Sequence, residues 1–252
     1  MIKHNRAIAH HINKSNKTMK INTNRKRGFT LVELLVVIVI IASLAALSAP
    51  MIMGQIKKAN KAEAISNSKQ IGLALFEFDS DYGSYPDADT LTEVSEAFPN
   101  AEVVPTGAAD SNACFQQLLQ AGIVKSEEIF YSKATGTRKP DGDISSATEA
   151  IAAGECGFGY IMNGSDAYST AGNSSRVIVV SPLVEGGGDT FDINPFGGVA
   201  VLYKIDNSAS AVKIRSDEGA EDGPAIIAGK DFLEAKFWGT TTPTIVKPKT
   251  SN

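Results

Sequence analysis

Histidine is confined to the first eleven residues (His4, His10 and His11), cysteine occurs only twice (Cys114 and Cys156), and residues 1–28 contain no acid. Each scarcity excludes something. If the basic leader is removed, no histidine remains, which rules out Ser-His-Asp and Cys-His nucleophile chemistry and His-ligated zinc in the mature chain. Two cysteines alone are too few for a structural metal centre. No phosphate cradle is present either: Gly186-Gly187-Gly188 lacks the following lysine and the strand-to-helix context that such a loop needs. Carboxylates are plentiful enough to supply an acid/base pair, but nothing in their spacing favours one.

What is there is asymmetric. Residues 1–28 hold eight lysines and arginines (Lys3, Arg6, Lys14, Lys17, Lys20, Arg25, Lys26 and Arg27), leaving 16 basic residues against all 28 acidic ones in residues 29–252, a balance of −12. A body so charged repels nucleic-acid phosphates, so nucleic acid is not an expected partner. The basic block stands where an export signal would place it.

The run from Leu34 to Ala49 contains only two polar residues, Ser43 and Ser48, whose hydroxyls a helix can satisfy through its own carbonyls. With Phe29–Glu33 it forms about 30 Å of helix, enough to cross the hydrocarbon core. The basic residues ahead of it predict a cytoplasmic N-terminus. Three readings compete: a secretory signal peptide cut near Ala46-Leu47-Ser48, a plain single-span anchor, and a segment with a further task. Glu33 separates them. A carboxylate inside an apolar run costs about 2.5–3.5 kcal/mol near a helix centre and less near its end, and it calls for a partner. The alternative for Glu33 is snorkelling to the interface.

The segment Gly28-Phe29-Thr30-Leu31-Val32-Glu33 resembles the processing site of type IV prepilins and type II secretion pseudopilins. The resemblance implies cleavage by a prepilin peptidase between Gly28 and Phe29, and N-methylation of the new terminal Phe29. It implies that Glu33 serves assembly and that Pro50 kinks the helix. It also implies partners: other pilin or pseudopilin subunits, the peptidase, the assembly platform of the inner membrane and the lipid bilayer. Charge agrees, since the cut exposes an α-ammonium whose nearest carboxylate is Glu33, four residues on, within one helix or across to a neighbouring subunit. Met19 to Gly28 would alone make a complete short leader, so translation from Met19 is expected.

Beyond Pro50, Ile52, Ile56, Ala59, Ala62, Ile65, Ile71, Leu75, Phe78 and Tyr82 recur mostly at three- and four-residue steps. They predict that the helix continues as an amphipathic half and stops at Gly83 and Pro86. The exit segment Phe76-Glu77-Phe78-Asp79-Ser80-Asp81-Tyr82-Gly83-Ser84-Tyr85-Pro86 resembles that of major pseudopilins.

The expected organisation is therefore a leader (1–28), a transmembrane and assembly helix (29–50), its amphipathic continuation (51–83) and an exported α+β domain (84–252). The long helix packs on that domain, which carries a small antiparallel sheet. Within it, helices are predicted over Thr90–Phe98, Asp110–Ala121 and Ser145–Ala153, and strands over Gly157–Met162, Arg176–Ser181, Val199–Asp206 and Ala211–Ser216. The last two form a hairpin through Asn207–Ser210. Ala225–Ala228 reads as an added edge, Glu185–Gly198 as a long loop, and the end from Thr240 as extended or frayed.

Cys114 and Cys156 both lie in the exported part, where a disulfide or two separate buried thiols are the alternatives. Asp189, Asp192 and Asn194 sit among glycines and are candidate calcium ligands, with Asp217, Glu218, Glu221 and Asp222 as a second acidic cluster; solvated acids are the competing reading of both. Some major pseudopilins bind calcium near the C-terminus. No other cofactor is expected. The expected function is that of a non-enzymatic filament subunit, of a type II secretion pseudopilus in preference to an adhesive pilus. It enters the inner membrane once, with its leader inside and its domain exported, and leaves for a periplasmic or extracellular filament. The alternative is a membrane-anchored periplasmic domain that binds a ligand or substrate without polymerising.

Overall fold

A computed structural model describes residues 28–251 apart from 106, 185–187, 218 and 242. The basic leader, its three histidines, the Met19 start, Gly186, Gly187 and Glu218 lie outside the described residues. The chain divides into two units, Met1–Leu47 and Ser48–Asn252.

In the first unit the described residues open with three non-helical positions, 28–30, and enter helix α1 (Leu31–Tyr82). Every side chain of α1 up to Leu47 is exposed, and this is the one described helix long and apolar enough to cross a membrane. Ser43 donates its hydroxyl to the Val39 carbonyl at 2.8 Å, which is how the hydroxyl is satisfied in an apolar run. Pro50 lies inside α1 and does not end it. Its missing N–H leaves the Ala46 carbonyl without an intrahelical donor.

In the second unit α1 becomes a core element. Ala64, Ser68, Ile71, Gly72, Ala74, Leu75, Phe78 and Asp79 are buried at three- and four-residue steps. The amphipathic stripe is therefore shorter than its sequence predicts, because Ile52, Ile56, Ala59 and Ala62 remain exposed. At Gly72 the helix meets the sheet so closely that a Cβ would stand 1.8 Å from Tyr203 Cζ. Gly83 (φ +80) ends the helix and donates its N–H to Asp79 O at 2.8 Å.

Helix α2 (Ala88–Ala97) starts from an Asp87/Thr90 capping box, and α3 (Ser111–Gln120) from Asp110, whose carboxylate accepts the Ala113 N–H. Five strands form one antiparallel sheet: β1 (Gly159–Asn163), β2 (Val177–Ser181), β4 (Val199–Lys204), β5 (Ala209–Lys213) and β9 (Pro243–Val246), in the order β5-β4-β2-β1-β9. Two small pairs flank it, β3 (Phe191–Asp192) with β6 (Asp222–Gly223) and β7 (Ile226–Ile227) with β8 (Lys230–Asp231). Phe115 stacks on Phe130 at 5.1 Å and meets Tyr160 edge-on at 5.7 Å, joining α3 to the sheet.

The α+β class, the long helix and the small antiparallel sheet agree with the expected fold, and two local expectations are corrected. The segment 145–153 is not a helix. It makes a single turn, Ala150 N–H to Ser146 O, and Ile151 then takes φ 49. Its carbonyls face α3: Gln116 donates to Ala147 O and Ala150 O, and Asn112 to Ile151 O and Ala152 O. Of the two readings of the chain end, the extended one holds: β9 pairs with β1, and the Lys247 and Lys249 carbonyls accept from Ser111 and Gly154. The loop 185–198 contains the short strand β3.

Candidate processing and assembly site

The Gly28–Phe29 bond lies in exposed, non-helical backbone just ahead of α1. Phe29 is 81% exposed, and no atom of the described residues lies within 4 Å of where a Gly28 Cβ would stand. A peptidase that binds extended backbone could reach this bond without unwinding a helix.

Thr30 and Glu33 close the helix start reciprocally. Glu33 Oε2 accepts the Thr30 N–H at 2.8 Å and the Thr30 hydroxyl at 2.8 Å, while Thr30 Oγ1 accepts the Glu33 N–H at 3.2 Å. This is a capping box, which satisfies two otherwise orphaned N–H groups and sets the carboxylate against the positive end of the helix dipole. The Thr-x-x-Glu spacing carries this signal, while the amine partner is expected from the position of Glu33 in an apolar run. The two roles are compatible in space: Phe29, whose amine the cut would free, is the residue before Thr30.

Cys114 and Cys156 are free, buried thiols. Cys114 Sγ donates to Ala108 O at 3.8 Å, and Cys156 Sγ donates to Phe158 O at 3.3 Å. Of the two alternatives, the disulfide gives way to separate thiols. Burial, chiefly, pushes each thiol up to about 12, so both are protonated and inert near neutral pH.

The candidate calcium ligands each have a partner within the protein. Asp189 is half-exposed and pairs with Lys247 at 3.7 Å. Asp192 is buried, its Oδ2 accepting the Thr135 hydroxyl at 2.5 Å and its Oδ1 the Asn194 N–H at 2.8 Å. In the second cluster Asp222 Oδ2 accepts the Thr190 hydroxyl at 2.7 Å. These contacts hold the loops together.

The three carboxylates that do gather among the described residues are Glu127, Asp141 and Glu155, with oxygens within 4.8 Å of one another. Spread over 29 positions, they form no sequence motif. Glu127 accepts the Gly142 and Ile151 N–H groups at 2.7 and 2.8 Å, and Glu155 accepts the Ala152 N–H at 2.9 Å. Glu155 Oε1 is ion-paired with Arg138 at 2.8 Å. Burial first, and then the charges of Glu127 and Asp141, push Glu155 upward against the opposing pull of the Ala152 N–H and Arg138. The cluster is thereby spent on backbone donors of the 138–155 loop.

Comparison with known proteins supplies the context. Residues 23–49 match the prokaryotic N-terminal methylation motif. Type II secretion system core protein G of Klebsiella pneumoniae is 32% identical over 134 residues, covering 49% of this chain and 96% of that protein. The protein of the same name from Aeromonas hydrophila is 30% identical over 130 residues, 48% of this chain and 91% of the relative. The Escherichia coli (strain K12) protein is 40% identical over 90 residues, 36% of this chain, so that the match spans 60% of that relative's length. No solved structure matches the chain. With nearly the whole of the Klebsiella protein aligned to it and the methylation motif at its start, this chain belongs to the type II secretion system core protein G family of pseudopilins.

Proposed function

We propose that the chain is a structural, non-enzymatic subunit of a type II secretion pseudopilus. It is inserted in the inner membrane with its leader inside, cut between Gly28 and Phe29 by a prepilin peptidase, and N-methylated on Phe29. The observation that carries this reading is the Thr30–Glu33 box beside an exposed Gly28–Phe29 bond, at the head of a helix whose apolar side chains are exposed as far as Leu47. In the bilayer, lipid covers that helix. In a filament, the corresponding helices of neighbouring copies replace the lipid, and the exchange is tolerable because helix–helix packing replaces the lost lipid contacts.

Glu33 has two successive tasks in this scheme. Before assembly its carboxylate is held by Thr30, which lowers the cost of an acid at the membrane boundary. During assembly the same carboxylate is the nearest counter-charge for the amine freed at Phe29, its own or a neighbour's. Only the second task sets the axial stagger of a polymer.

Intact-mass and N-terminal analysis of the protein from its host tests the processing step. A chain starting at methylated Phe29 is expected, and one starting near Ala49 would replace this reading with a conventional signal peptide. Glu33→Ala tests assembly. The variant is expected to stay membrane-bound and lose filament formation by at least about tenfold, as removal of a desolvated charge partner implies. Filaments in undiminished yield would leave the anchored binding domain as the better account.

A further inference from the structure

We propose that the stretch of α1 just beyond the span is a binding site for the head group of an anionic phospholipid. Residues 50–62 contain Lys57, Lys58 and Lys61 and no acid, in a mature chain whose overall balance is −12. Among the described residues none of these three lysines forms an ion pair; the two ion pairs present involve Arg138 and Lys247. Lys57 and Lys61, four residues apart, share a helix face and repel each other, and a phosphate between them relieves that repulsion.

The surroundings specify a lipid more than a free anion. Met51, Ile52, Met53 and Ile56 are all more than half exposed, so an apolar collar adjoins the lysines directly. Lys57 stands nine residues past Ser48, about 13 Å of helix rise against a head-group layer of about 5–7 Å, and its flexible stem, which leans toward the helix N-terminus, returns the ammonium group toward that layer. A groove of about 370 Å³ opens at this level between Met53, Ile56, Lys57 and Asn60 of α1 and a wall containing Lys133 and Asp192. The Lys57 stem lies near Gly197, where an added Cβ would stand 3.8 Å from its Cδ. Asp192 is the acid facing this groove, and its two oxygens are already occupied by Thr135 and Asn194. The groove thus offers two ammonium groups and an apolar floor, the complement of a phosphate joined to acyl chains. Once the leader is cut away, these lysines are the basic residues left flanking the span.

The inference rests on the membrane-spanning reading of α1 and is independent of polymerisation. The full chain is reconstituted in phosphatidylcholine vesicles containing trace spin-labelled phosphatidylglycerol or spin-labelled phosphatidylcholine. Electron paramagnetic resonance then reads the fraction of each lipid held against the protein. The ratio of phosphatidylglycerol to phosphatidylcholine association is expected to exceed that of the Lys57→Gln/Lys58→Gln/Lys61→Gln variant by roughly two- to fivefold. A Lys69→Gln/Lys125→Gln/Lys139→Gln variant of equal net charge should match the parent. The leader's own attraction is common to all three chains and cancels. Equal ratios in parent and first variant overturn the proposal. So does a first variant that keeps its lipid preference but no longer forms filaments, because that assigns the face to a second copy of the chain. A full chain that does not float with vesicles at all removes the span itself, and with it both this site and the proposed function.

Discussion

At the scale of single residues, the start of α1 depends on one hydroxyl. Thr30 Oγ1 gives its proton to Glu33 Oε2 and takes the Glu33 N–H, so it is both the cap of the helix and the keeper of the carboxylate. Removing it in Thr30→Ala is expected to cost about 1 kcal/mol of local stability, or roughly a fivefold rise in hydrogen exchange at the Glu33 amide in detergent. Thr30→Ser should restore protection. An exchange rate unchanged in Thr30→Ala would show that the hydroxyl does not hold this turn. The cap is a local signal, since Thr30 and Glu33 stand at Thr-x-x-Glu spacing, whereas the roles expected of Gly28, Phe29 and Glu33 come from the family resemblance and not from spacing. The Glu127, Asp141 and Glu155 group was not legible, because loops bring its members together and no spacing encodes a loop path.

At the scale of elements, the sequence conveyed those whose periodicity is decided within the element and missed those decided by a neighbour. α1, α3 and the β4–β5 hairpin carry their own apolar rhythm, and their observed bounds differ from the expected ones by a few residues at most. Segment 145–153 has an acceptable helical composition, yet side chains from α3 compete for its carbonyls and Glu127 takes the Ile151 N–H. Strand β9 has the composition of a tail; it is an edge strand opened by Pro243, whose missing N–H an edge tolerates. The same dependence on neighbours yields a prediction at Gly72. Alanine there gains about 1 kcal/mol in helix propensity. Its Cβ, however, would overlap the Tyr203 ring, which is buried and tied through its hydroxyl to Asn207 at 2.9 Å. Displacing a packed ring typically costs about 1–3 kcal/mol, so Gly72→Ala should lower the midpoint of denaturant unfolding despite the better helix former. In a Tyr203→Leu background the same substitution should be neutral or stabilising, and equal losses in both backgrounds would rule out the contact as the cause.

At the scale of the whole molecule, the C-terminal domain is built on buried groups that resist ionisation. Burial pushes the Cys114 and Cys156 thiols from their ordinary 9 up to about 12, and burial followed by the charge of Asp206 pushes Tyr203 up to about 12. The sign follows from proton binding. Above pH 9 the unfolded chain releases thiol protons that the folded chain retains, so stability is fully present below pH 9 and falls as pH rises toward 12. Each thiol contributes a slope of about 1.4 kcal/mol per pH unit in that window. Denaturant titrations of the full chain in detergent, followed by near-ultraviolet circular dichroism, should give a midpoint that is flat from pH 7 to 8.5 and declines above pH 9. Cys114→Ala with Cys156→Ala should make the decline shallower and delay it until the tyrosines titrate. The same experiment distinguishes the two states of the cysteines: a Cys114–Cys156 disulfide has no thiol proton to lose, so the parent would already show the shallow, delayed decline and the paired alanines would leave its pH dependence unchanged.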